Sequence, residues 1–252
     1  MKSMFKKHCE TTNIWSHLIA LAYFCVLFGL MLVKPENNPN SRNPFKAYST
    51  STSAVLSRIG CGSIMLCMGV SAFYHTFNPM SKAWNETLLR LDLVFVGLMI
   101  LTLTNCLTFV AYNKYPTIRL VACIVLLVIQ VILFVINMLP KFSEKENEIV
   151  RRIIYALVLA FTIILALVWL CWIASKEEIL KFLGWVVLAL VWLGLGMFFY
   201  ACKYPERSAQ SSRFVAYWLS SHTMWHICAA LSANQLLWLQ WRYNLYVEHS
   251  SP

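Results

Sequence analysis

Between Pro116 and Pro140 runs IRLVACIVLLVIQVILFVINML, from Ile118 to Leu139, with a single charge, Arg119, at its start. As an α-helix these residues rise about 33 Å, enough to cross the roughly 30 Å hydrocarbon core of a bilayer. The run is apolar on every face, so lipid or a deep core must surround it. Working outward, six further runs of similar length are bounded by charge, Pro or Asn: Ile14 to Val33, Ala54 to Phe77, Thr87 to Tyr112, Val150 to Ile173, Ile179 to Cys202 and Phe214 to Leu239. The connecting segments Lys34 to Pro39, Asn78-Pro79, Asn113 to Pro116, Lys141 to Glu148, Ser175 to Glu178 and Lys203 to Arg207 break helices or refuse burial. The fold class is an all-α integral membrane protein, a bundle of seven transmembrane helices.

Composition agrees. Of 252 residues, 59% are hydrophobic and 13% charged, against about 25% charged in soluble domains, which excludes a water-soluble globule. The net charge of +10 comes from 21 Lys and Arg in short clusters between apolar runs, a membrane-topology pattern that argues against nucleic-acid binding. Nine Cys, an odd number with most inside apolar runs, read as free thiols. The expected organisation is a short N-terminal segment (1–13), one helical domain (14–239) and a short tail (240–252). The first run is long and lacks a small-x-small cleavage site, so it is expected to be retained as a helix. Alternate sides of the bundle carry 12 and 9 of the Lys and Arg residues, which puts the N-terminus in the cytoplasm and the C-terminus outside. The sequon Asn85-Glu86-Thr87 then falls in a cytoplasmic loop and escapes glycosylation.

Ionisable side chains that persist in hydrocarbon are functional candidates. Asp92, the only Asp of the chain, lies in the third run, Ser71 and His75 near the end of the second, and His222 and His226 in the seventh. His222 and His226 are four apart, one turn above each other on one helix face. Parity places the end of helix two and the starts of helices three and seven at one membrane face, so His75 is the natural third ligand. Three His with one open position is the coordination of catalytic Zn2+. Asp92 suits a general base beside that site, or alternatively an ion pair with Arg90 or a Lys. Ser71, one turn from His75, suits orienting it or polarising a substrate carbonyl. His17 reads as an interfacial structural residue, and nothing is assigned to His8 or His249. Hydrogen-bonded packing is the rival reading for each histidine.

These residues resemble the signature of the progestin and adipoQ receptor family, which includes the adiponectin receptors and is grouped with hemolysin III-like and alkaline ceramidase-like membrane hydrolases. The matching stretches are His8 to Leu18, Ser71-x-x-Tyr74-His75, Arg90-Leu91-Asp92, Tyr204-Pro205-Glu206-Arg207 and Ser221-His222-x-x-Trp225-His226. The resemblance implies seven helices with a cytoplasmic N-terminus and zinc on His75, His222 and His226. It implies Asp92 at the zinc-bound water and hydrolysis of a ceramide-like membrane lipid amide. It also implies reception of an extracellular protein or steroid ligand. The expected location is the plasma membrane or an endomembrane (Golgi or ER). Two departures stand beside the site: Thr223 replaces the usual Gln, and Ser208 to Arg213 lacks the usual Pro-Gly. The competing function is a receptor without catalysis, in which zinc ties helices together.

Overall fold

The computed structural model describes residues 10–33, 52–208 and 213–250; His8, Cys9, the Lys34 to Pro39 turn and residues 209–212 lie outside the described residues, as does the side chain of His249. The described residues form helices α1 (Thr11–Leu32), α2 (Thr52–Phe77), α3 (Lys82–Ala111), α4 (Pro116–Met138), α5 (Glu148–Val168), α6 (Lys176–Cys202), α7 (Arg213–Trp218) and α8 (Ser221–Ser250). Helices α1 to α6 are each long and apolar enough to cross a membrane. Helix α8, at about 45 Å, is the seventh long helix and runs past the expected Leu239 to Ser250. Its central position explains its polarity: it packs against α1, α2, α3 and most extensively α6, burying Ser232, Gln240 and Asn244. Along α4 and α5, Leu120, Ile124, Leu127, Val131, Ile153, Leu157 and Ile164 are exposed. An apolar surface on this scale has lipid as its solvent, and the chain is an integral multi-pass membrane protein.

Local chemistry sets most helix ends. Pro116 opens α4, where its missing N–H costs nothing. Ser81 caps α3, its Oγ accepting from Trp84 N at 3.2 Å, and the helix takes in Asn85. The sequon is therefore helical, and the expected loop is shorter. Ser175 and Glu178 make a reciprocal capping box at the start of α6. Helix α5 closes in a π-turn, Trp169–Ile173.

The expected seventh helix is divided. Ser220 Oγ accepts from Thr223 N at 3.1 Å, and the Glu206 carboxylate accepts from Ser221 N at 2.7 Å and Ser221 Oγ at 3.0 Å. A Ser cap and an anion at the new N-terminus satisfy donors that a continuous helix would not expose.

Three apolar clusters hold the bundle. Phe24, Leu27, Cys61, Ile64, Leu103 and Leu237 join α1, α2, α3 and α8; Tyr112, Trp169, Phe182 and Tyr243 join α3, the π-turn, α6 and α8; and Leu101, Leu126, Leu133 and Val158 join α3, α4 and α5. A Cβ on Gly196 would sit 2.9 Å from Trp225 and 3.0 Å from Cys228 Cβ, so glycine lets α6 and α8 touch. Among the described residues eight cysteines are free, as expected, with Cys25, Cys171 and Cys202 exposed.

At the end of the bundle where α3 finishes and α6 begins, Glu178 was expected in a turn that refuses burial, yet it is 2% exposed. It is paid for by partners: Lys114 Nζ at 2.7 Å, Tyr243 OH donating at 2.6 Å and Ser175 N at 2.7 Å. A buried carboxylate with all these donors is tolerable where a lone one is not.

Candidate metal centre

The antiparallel path brings the start of α1, the end of α2 and the starts of α3 and α8 to the opposite end. His75 lies in the last turn of α2, His222 and His226 in the first two turns of α8, and His17 in the second turn of α1. Their rings converge. Centroid separations are 4.3 Å for His222 and His226, 5.0 Å for His75 and His226, 5.3 Å for His75 and His222, 4.1 Å for His17 and His226 and 5.5 Å for His17 and His75.

The three histidines read from the sequence are therefore together, and His17 joins them. It is a buried member of the cluster rather than an interfacial residue, with its Nδ1 3.4 Å from Met68 Sδ. One ring nitrogen each from His17, His75 and His226 lie within 4.8 Å of one another, close enough to share a metal ion. His17 Nε2 and His226 Nδ1 are buried with no hydrogen-bond partner. Buried imidazole nitrogens left open in this way are what an unfilled ligand set looks like, so these residues fit a metal ion.

His75, 3% exposed, is oriented by a residue the sequence reading passed over. Its Nδ1 lies 2.7 Å from Glu10 Oε2, just ahead of α1. Such a carboxylate fixes the Nδ1–H tautomer and leaves Nε2 to bind metal. Asn13 Nδ2 donates to the same Glu10 oxygen at 2.9 Å, and Thr223 Oγ1 donates to Asn13 Oδ1 at 2.6 Å. Thr223, the departure from the family pattern, thus ties α8 to α1. Burial pushes the Glu10 carboxyl up, but the hydrogen bonds from His75 and Asn13 outweigh it and hold the group down at about 2.

Ser71 Oγ donates a hydrogen bond to Asp92 Oδ1. Ser71 therefore holds Asp92, while Glu10 holds His75. Arg90 does not pair with Asp92; it turns to Glu86 O and Thr87 Oγ1.

The fold and site define a multi-pass membrane protein: a bundle of seven long helices with an imidazole cluster at one end that could hold a metal ion. The chain belongs to the Haemolysin-III related family, whose model matches residues 5–235. It is similar to the progestin and adipoQ receptor-like protein 1 of Caenorhabditis elegans, 26% identical over 92% of this chain and 51% of the relative. Similar too are the progestin and adipoQ receptor family member 3 of Mus musculus, 28% identical over 100% and 78%, and the adiponectin receptor protein of Drosophila melanogaster, 24% identical over 92% and 50%. The chain spans about half the length of the nematode and fly relatives.

Proposed function

We propose that this receptor-like protein is a zinc-dependent hydrolase of ceramide-like lipid amides, working within the cytoplasmic half of the bilayer and responsive to an extracellular ligand. The observation that carries the reading is the cluster of His17, His75 and His226 with unpartnered nitrogens, with His222 against His226 and the Ser71–Asp92 pair on the neighbouring helices. His75 and His226 would hold the ion, with His222, and His17 within reach. Zinc bound there supplies Lewis-acid polarisation of a carbonyl and a lowered water pKa.

The protein's own groups do the rest. Asp92, held by Ser71, accepts a proton from the attacking water and returns it to the departing amine. Glu10 keeps His75 in the ligating tautomer. In this reading the acyl chain of the substrate stays in the surrounding lipid while its amide reaches the histidines. The N-terminus faces the cytoplasm in this reading, as the Lys and Arg distribution supports.

The test is metal content of detergent-purified protein beside a variant with His75, His222 and His226 all changed to Ala, followed by ceramide hydrolysis. About one zinc per chain, lost in the variant, is expected; well-folded wild type without metal overturns the reading. One observation favours a non-catalytic receptor with structural zinc: four imidazoles converge, enough to close a tetrahedral site. Zinc binding without hydrolysis would select it.

A further inference from the structure

Far from the histidines, the early turns of α6 and the last turns of α8 form an open-sided cavity of about 380 Å³, lined by Lys181, Phe182, Trp185, Trp241, Arg242, Leu245 and Tyr246. We propose that this cavity binds the phosphodiester headgroup of an anionic phospholipid.

Depth is the first reason. Arg242 follows Ser221, the start of α8, by about 32 Å of helix, so a bilayer whose hydrocarbon begins near the histidines places Arg242 at the opposite headgroup layer. Trp and Tyr beside it are the side chains that favour that layer.

Charge is the second. Lys181 Nζ is already paired with Glu177 Oε1 at 2.6 Å. The Arg242 guanidinium lies 4.9 Å from the Trp185 ring centroid and, among the described residues, has no hydrogen bond or ion pair. The cavity therefore holds one uncompensated positive charge and a donor fork suited to two phosphate oxygens. Ring chemistry chooses among lipids. The faces of Trp185 and Tyr246 already carry Arg242 and Lys181, the latter at 4.5 Å, so the quaternary ammonium of a choline headgroup meets like charge at these rings. The cavity is independent of the histidine cluster, so this proposal stands whether or not zinc binds.

The test measures phospholipid retained per chain by native mass spectrometry after delipidation and titration with phosphatidylglycerol or phosphatidylcholine. Wild type should retain phosphatidylglycerol preferentially, and Arg242→Gln should weaken it about five- to tenfold. Arg242→Lys, which keeps charge and bulk, should fall between the two and guards against a variant that misfolds. Equal retention of both lipids by wild type, or undiminished phosphatidylglycerol binding in a folded Arg242→Gln, overturns the proposal. So does displacement of the lipid by inorganic phosphate alone, which would make the occupant a free anion.

Discussion

Glu10 and His75 lie 65 residues apart in the chain and 2.7 Å apart in the fold. The pair joins the residue just before α1 to the last turn of α2, and through Asn13 and Thr223 it reaches α8. One hydrogen-bonded chain thus spans the three helices that carry the histidine cluster, and α1 is part of the site's architecture rather than a spectator.

Replacing Glu10 removes the acceptor that fixes His75. Glu10→Ala should weaken metal binding about 10- to 100-fold, measured by competition with a chelator, while Glu10→Gln, which keeps an acceptor oxygen, should lose less. Equal affinity in all three proteins would remove Glu10 from the site.

Asp92 touches Ser71 and none of the imidazoles by hydrogen bond. Asp92→Asn should therefore leave zinc content unchanged and lower ceramide hydrolysis about 10²- to 10⁴-fold. Full hydrolysis by the variant would remove the base from the mechanism. Loss of zinc would make Asp92 a ligand instead.

The hydropathy of the chain made the helices legible, because a span of about 20 apolar residues has few alternatives. The break before α8 was hidden for the same reason. Averaging across the run from Phe214 to Leu239 conceals Ser220, whose capping role is visible only when Ser220-Ser221-x-Thr223 is read as a helix start. His75, His222 and His226 were legible through i, i+4 spacing and parity. His17 was not, although the same parity puts the start of α1 at that end, because its place depends on how α1 packs against α2 and α8. Glu10, quoted only as part of the His8 to Leu18 stretch, was given no role, and Glu178 was read as a turn charge, because burial of a carboxylate depends on partners distant in sequence, here His75 and Lys114 with Tyr243.

Glu178 supplies a stability test at the far end. Removing one member of a buried ionic group costs about 3 to 5 kcal/mol when a charge is left uncompensated. Lys114 is about half exposed, and the Tyr243 and Ser175 donors remain without it, so Lys114→Met should cost less than that range. Tyr243→Phe removes one hydrogen bond to a charged group and should cost about 1.5 to 3 kcal/mol. Unfolding in detergent, followed by circular dichroism, gives the order; a Tyr243→Phe protein as stable as wild type would mean the latch contributes nothing.

Gly196 links packing to the histidine cluster. A methyl group there would sit 2.9 Å from Trp225 Cε3 and 3.0 Å from Cys228 Cβ. The Trp225 ring can rotate, but Cys228 Cβ moves only with the helix. Gly196→Ala must then push α8 from α6, at a cost of about 1 to 3 kcal/mol. Trp225 precedes His226 directly, so the displacement reaches the imidazoles. The expected outcome is lower thermal stability together with weaker zinc binding, measured on the same preparation. Gly194, which has nothing within 4 Å of such a methyl, is the control: Gly194→Ala should leave zinc affinity unchanged. If the two alanine variants bind zinc equally well, the α6–α8 contact does not set the position of His226.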